Sequence, residues 1–173
     1  PLIYAGESGI LKIHHDYGEK GVIFLDEGLV EGVRAKDSIG KTAAGVCAKW
    51  VSISTTFLQG ERQDDSELVA VDTGKFMIIL EKAHKMIQKI NTMVPGNDSI
   101  FKGDPRLADK HKRYSKVDAK VMGLLNGKRT ISRIVMDAGY PELDILISVF
   151  RLGSSGVARL LVANKLMCDY ERL

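Results

Sequence analysis

Ala35-Lys36-Asp37-Ser38-Ile39-Gly40-Lys41-Thr42 is the stretch of this chain that comes nearest to a chemical motif. It matches a phosphate-binding loop with Ala in place of the first Gly, in which Lys41 would reach the β- and γ-phosphates and Thr42 would ligate Mg²⁺. The strand ahead of it reads as part of an antiparallel meander, and no apolar strand ending in Asp follows in the same module. The βαβ context is therefore missing, a solvated helix start is the plainer reading, and no cofactor is expected. His14-His15 cannot easily chelate one ion, because adjacent residues on a strand point to opposite faces, and His84 and His111 stand apart. Cys47 and Cys168 are widely separated without metal-type spacing. No Ser or Cys has a His at a recognisable spacing, and the carboxylates fall in turns or on polar helix faces. The expectation is a chain with no catalytic and no metal-binding residues, not an enzyme.

Charge offers a different chemistry. The net charge is only +3, yet residues 1–72 carry 7 basic and 12 acidic side chains whereas residues 102–173 carry 14 and 8. Such a split predicts two units with different surfaces and raises nucleic acid as a partner of the second. A content of 45% hydrophobic and 27% charged residues is that of an ordinary globular chain. The longest apolar run, Phe76–Leu80, is far short of the about 20 residues of a membrane span. With no basic segment leading into an apolar one at the start, and cysteines suited to a reducing compartment, a cytoplasmic location away from membrane is expected. The chain opens at Pro1-Leu2 without an initiator Met, as a piece of a longer protein would.

The elements that must carry these surfaces follow from periodicity and turn chemistry. Ile10–His14, Val22–Leu25 and Leu29–Arg34 read as strands of an antiparallel meander, with Asp26-Glu27-Gly28 closing a tight hairpin. Asp37 or Ser38 is expected to cap a helix with Ile39, Ala43, Val46, Cys47 and Trp50 on one stripe. Val51, Ile53, Thr55 and Phe57 alternate with hydroxyl residues as a half-buried strand would, and residues 59–67 read as an exposed loop. A long helix over 75–94 carries Phe76, Leu80, Ala83, Ile90 and Met93 on one face. After a polar stretch from Phe101 to Lys116, a helix over 117–125 and then Asn126-Gly127-Lys128-Arg129 follow. Thr130 then caps a helix over 131–138, Gly139-Tyr140 turns, Pro141 starts a helix over 142–152, and a strand over 157–162 closes a winged-helix order. The fold class is α+β: an N-terminal antiparallel sheet with a packed helix in 1–72, a connecting helix and loop in 73–101, and a winged-helix-like unit in 102–173.

Ser8-Gly9-Ile10-Leu11-Lys12-Ile13, followed by Gly21-Val22-Ile23-Phe24-Leu25-Asp26-Glu27-Gly28-Leu29-Val30, resembles the PATAN family, a domain of unknown function found in bacterial response regulators and related signalling proteins. Ala48-Lys49-Trp50, Ile79–Ala83 and Val94–Phe101 are similar to that family's helix end and connector. Leu124–Ile131 resembles the winged-helix-like tail that often follows. Members usually have a helical segment before the Ser-Gly pair, and here only seven residues precede Ser8. The resemblance implies a protein-interaction role in signal transduction and no catalytic residues.

Two sets of surface residues then compete. Ile23 and Leu25, in an apolar run that feeds both sheet faces, and Leu143, Ile147 and Phe150, on a helix apolar on many sides, are the candidate protein-interface residues, with a homodimer as one outcome. Lys112, Arg113, Lys116, Arg129 and Arg133 are the candidate nucleic-acid contacts of the alternative, a DNA-binding regulator. Against that alternative, the helix that would read the duplex begins with Glu142 and Asp144, which phosphates repel. A non-catalytic adaptor with a protein partner is therefore the preferred reading.

Overall fold

The structure, a computed structural model, describes residues 2–62, 69–108 and 114–162. They form an α+β fold with one five-stranded antiparallel sheet, a second sheet of three strands and five α-helices. The chain divides into two compact units, Pro1–His84 and Lys85–Leu173. The division lies within the helix expected to be the connector, and not at 72/73 and 101/102.

In the first unit, β1 (Gly9–His15), β2 (Lys20–Asp26) and β3 (Leu29–Ala35) form the expected meander, flanked by the short β4 (Ser38–Ile39) and by β5 (Ile53–Gln59) in the order β4-β3-β2-β1-β5. Asp26 pairs with Leu29, and Glu27 and Gly28 both have positive φ, 46° and 77°. This is the two-residue turn whose twist matches paired strands. A Cβ on Gly28 would also lie 2.4 Å from the Ile3 carbonyl oxygen. A register shift after Phe24 puts Leu25 opposite Val30 while Ile23 stays opposite Val33, so both valines reach one core.

That core is covered by two helices on the same sheet face. The helix α1 (Gly40–Cys47) lays down Ala43, Ala44 and Cys47, and its end packs Trp50 over Gly21, where a Cβ would sit 2.9 Å from the indole ring. The start of α2 (Thr73–Asn91) adds Phe76 and Leu80. The Val30 N–H donates to Thr73 Oγ1 at 2.8 Å, and the Lys75 N–H to Asp72 Oδ1 at 2.9 Å, which fixes the first turn of α2 against β3.

Two expectations change here. Neither Asp37 nor Ser38 caps α1; Ser38 and Ile39 pair with Ala35 and Arg34 as β4, and Ile39, 45% exposed, takes the N-cap position without a side-chain bond instead of joining the buried stripe. The short β3–β4 hairpin brings the chain back antiparallel before Lys41, so no βαβ crossover forms a phosphate cradle. Finally, β5 is not half-buried. Residues Ile53 to Thr56 are all exposed, because β5 is an edge strand. Of the expected loop 59–67, residues 63–67 lie outside the described residues.

The second unit contains a strand that the sequence pattern hides. Ile100–Gly103, which runs into the stretch from Phe101 read as polar, is β6, the middle of the sheet β7-β6-β8, with β7 (Asn126–Thr130) and β8 (Ala158–Val162) on either side. Four residues are too short to show a period, yet Phe101 is 1% exposed. Asn126-Gly127-Lys128-Arg129, between two helices in the sequence, forms β7 with Thr130. Around this sheet lie α3 (Lys116–Leu124), α4 (Ile131–Ala138) and α5 (Glu142–Ser154), in the expected helix order. Thr130 caps α4, accepting from the Arg133 N–H at 3.3 Å, and Gly139 ends it with φ 72°. Pro141 is the N-cap of α5, one position before its expected place.

Ser99, just ahead of β6, is fully buried, and its Oγ has no hydrogen-bond partner among the described residues. An unmet buried hydroxyl costs stability, whereas a methyl there costs nothing. Ser99→Ala is therefore expected to leave the melting temperature unchanged or raise it. A drop of several degrees would show that the hydroxyl is satisfied.

Candidate interaction surfaces

Ser8 and the Asp26-Glu27-Gly28 turn form a structural lock. Ser8 Oγ donates to Asp26 Oδ1 at 3.0 Å and accepts from the Glu27 N–H at 2.8 Å, the Gly28 N–H donates to the Glu7 carbonyl at 3.0 Å, and Arg62 Nη2 meets Asp26 Oδ1 at 2.9 Å. These bonds tie the start of β1 to the β2–β3 turn. Gly9 is required by the neighbouring strand, since a Cβ would come within 2.4 Å of the Leu58 carbonyl oxygen.

The apolar candidates are placed inside the units. Ile23 and Leu25, 5% and 6% exposed, face the core, where with Leu11, Phe76, Met77 and Leu80 they line a cleft of about 200 Å³. The apolar pattern gives the Ile39–Trp50 helix one sheet face and leaves the other open, which makes Ile23 and Leu25 interface candidates; in the structure α1 and the start of α2 share the face on which both residues lie. Leu143 is buried at 6%, and only Ile147 and Phe150 are half-exposed. Phe150 is partly used within its own unit, with the Lys89 ammonium 5.6 Å above its ring, and Gly153 one turn on leaves room for Met93.

Helix α5 is the buried centre of the second unit. Glu142 is 1% exposed and Ser148 1%, alongside Leu143, Ile145, Leu146, Val149 and Leu152. A helix packed in this way cannot offer its first turn to a duplex. It is tied to α3 through Asp118, which is wholly buried. Asp118 accepts from the Ser115 N–H at 2.9 Å, the Ser148 hydroxyl at 2.8 Å and Arg151 Nη1 at 2.7 Å, while its own N–H donates to Ser115 Oγ at 3.1 Å. Burial pushes its carboxyl up, but the bonds from Ser115 and Ser148 and the Arg151 charge together outweigh it, and the net shift is downward.

The basic candidates are not brought together. Lys112 and Arg113 lie outside the described residues, and Lys116 is exposed at the first position of α3. Arg129 and Arg133 share one carboxylate, Asp137, at 3.5 and 3.1 Å. What the sequence order concealed is a different grouping. Register places Lys102 of β6 directly opposite Arg159 of β8 on one edge of a cleft of about 410 Å³ that Arg106, Asp104, Gly156 and Val157 complete. Asp104 grips Arg106 through two bonds of 2.9 and 2.8 Å, and the Arg106 side chain and N–H hold its carboxyl down at about 2. Like charges directly opposite each other repel, so this cleft favours an anion.

One surface remains open without charge. From Val51 to Gln59 the chain has no ionisable side chain, and β5 is the long outer strand of its sheet. Natural edge strands are usually blunted by charge, Pro or a bulge, and β5 has none of these.

No protein-family model, no curated protein and no solved structure matches this chain. Among the described residues no group of three or more His, Cys, Asp and Glu is placed to hold a metal ion, and no helix is long and apolar enough to cross a membrane. His14 is exposed while His15 is 6% exposed and stacks on Trp50, with ring centres 5.4 Å apart. Burial pushes the Cys47 thiol up to about 12, which keeps it protonated and unreactive at neutral pH. What the arrangement offers is one uncharged strand edge and one cationic cleft.

Proposed function

We propose that this chain is a non-catalytic adaptor of a bacterial signal-transduction system, a PATAN-like module followed by a winged-helix-like unit, acting through protein contacts in the cytoplasm. The observation that carries the reading is the edge strand β5, seven residues long, exposed from Ile53 to Thr56 and free of charge. An edge of this kind accepts an added strand, with main-chain hydrogen bonds giving affinity and alternate side chains giving selectivity. The burial of Glu142 and of most of α5 supports the same reading, since it withdraws the helix a DNA-reading role would need.

The test is affinity capture from the native cell with two baits, the wild-type chain and Thr55→Lys. The expected result is a signalling protein, a second copy of the bait's own protein included, held by the first and lost with the second. An identical set of captured proteins would overturn the reading.

The cationic cleft favours a second reading, binding of a nucleic-acid backbone. There the informative variant is Lys102→Glu with Arg159→Glu, since Arg129 and Arg133 are already engaged by Asp137. If this reading holds, wild-type duplex affinity falls steeply with salt, and the double reversal abolishes binding at low salt. Absence of wild-type duplex binding at low salt removes it.

A further inference from the structure

We infer that the chain self-associates through β5, which pairs antiparallel with β5 of a second copy about a two-fold axis at Thr55 and joins the two sheets into one. The inference rests on the protein-contact reading above and names the partner of that edge.

Backbone geometry comes first. The Asp16 N–H donates to the Ser52 carbonyl and the Gly60 N–H to the Ser8 carbonyl, both at 2.9 Å, at the two ends of a register that sets Leu58 opposite Ile10, Thr56 opposite Lys12 and Ser54 opposite His14. Hydrogen-bonded pairs alternate along an antiparallel ladder. The even-numbered residues of β5 therefore direct their backbone groups to β1, and Ile53, Thr55, Phe57 and Gln59 direct theirs outward, where no strand among the described residues meets them. A new strand must match odd residues with odd residues.

The side chains then select a second copy. With the axis at Thr55, Ile53 faces Phe57, Thr55 faces itself and Ser54 faces Thr56. The run Ile53-Ser54-Thr55-Thr56-Phe57 is symmetric in character about its centre: apolar, hydroxyl, Thr, hydroxyl, apolar. An aromatic opposite a β-branched residue, and hydroxyls opposite hydroxyls, are favourable cross-strand pairs. An unrelated peptide places no symmetry requirement on this strand; a second copy does. The alternative axis at Thr56 also matches odd with odd, but it sets Ile53 against Gln59 and breaks the apolar pair.

The same register extends the core. Phe57 lies opposite Leu11 and Thr55 opposite Ile13, so this row is on the helix-covered face, and Phe57 already packs against the core cluster. Ile53, 44% exposed at the rim, is covered by the second copy's Phe57. Helix α1 rests on β3 and β4, at the opposite edge of the sheet, and leaves the approach to β5 clear of it.

The experiment uses the full chain with Cys168→Ser as background. Sedimentation equilibrium is expected to show a dimer, and Thr55→Lys, which sets two ammonium groups at the axis, is expected to weaken it at least about tenfold, equivalent to about 1.4 kcal/mol. Thr55 is exposed, so an unchanged melting temperature of the variant at dilutions where both are monomeric reports that the fold is kept. Thr55→Cys should cross-link on oxidation faster than Thr56→Cys, because only the former meets its own copy at disulfide distance. Faster cross-linking at Thr56 overturns the register, and a wild-type monomer at about millimolar concentration overturns self-pairing. A monomer whose Thr55→Lys bait still loses a cellular partner overturns self-pairing while the protein-contact reading stands; unchanged capture overturns that reading instead.

Discussion

Asp118→Ala is expected to lower the stability of the second unit by about 2–4 kcal/mol, the cost of leaving a buried hydroxyl unmet together with that of a lost helix cap. The carboxylate is the shared acceptor of three donors from two helices, the Ser115 N–H at 2.9 Å, the Ser148 hydroxyl at 2.8 Å and Arg151 at 2.7 Å. Truncation leaves the buried Ser148 hydroxyl unmet and removes one half of the reciprocal cap of α3. The Arg151 side chain is 45% exposed and rehydrates, so most of the loss comes from Ser148 and the cap and little from the ion pair itself. Accordingly Arg151→Ala should cost less than Asp118→Ala. Chemical denaturation of both variants, with amide exchange in α3 and α5, measures the difference; equal losses would show that the ion pair dominates.

The pH dependence has a definite sign. The folded carboxyl of Asp118 is held below its ordinary value, so its contribution is fully present above the unfolded value of about 3.9 and is lost as pH falls through the folded one. Asp118→Asn should flatten the acid limb of the stability curve between those two values. Asp104, also held low, titrates on the same limb but is a local contact with Arg106, so its contribution persists in the variant.

Phe76→Ala is expected to cost about 3–5 kcal/mol in the first unit. Phe76 is 1% exposed and is the residue by which α2 fills the core beside Ile23 and Leu25. The hydrogen bonds of Thr73 and Asp72 hold the first turn in place, which limits how far the helix can collapse into the void. The space also opens onto the existing cleft of about 200 Å³, lined by Leu2, Ile3, Leu11 and Leu80. A small apolar solute such as benzene should therefore raise the melting temperature of the variant more than that of the wild type. A loss below about 1 kcal/mol, with no response to the solute, would mean that α2 shifts to close the gap.

Local chemistry made the meander, its Glu27-Gly28 turn, the Thr130 cap and the Gly139 stop legible in the sequence, because each depends on residues within a few positions of one another. The Ser115–Asp118 cap carries a readable signal of the same kind, a Ser with an acidic residue three positions on, and it sets the helix start at Lys116, one residue before the apolar pattern begins at Val117. The candidate surfaces were less legible. Whether Ile23 is core or interface depends on which face α2 covers, and periodicity within β2 contains no information on that.

The sequence by itself determined two stretches of opposite charge balance, a long amphipathic helix starting near Lys75, an uncharged stretch from Val51 to Gln59 and the absence of a spaced nucleophile, base or metal-ligand set. Only the tertiary structure decided that this uncharged stretch is an outer strand with its odd backbone groups pointing outward. It likewise decided that Lys102 stands opposite Arg159, that Arg129 and Arg133 share Asp137, and that Glu142 is inside. The physical reason is common to all four. Propensity and capping act between near neighbours, whereas strand order, cross-strand register and burial are set by residues tens of positions apart competing for the same apolar surface.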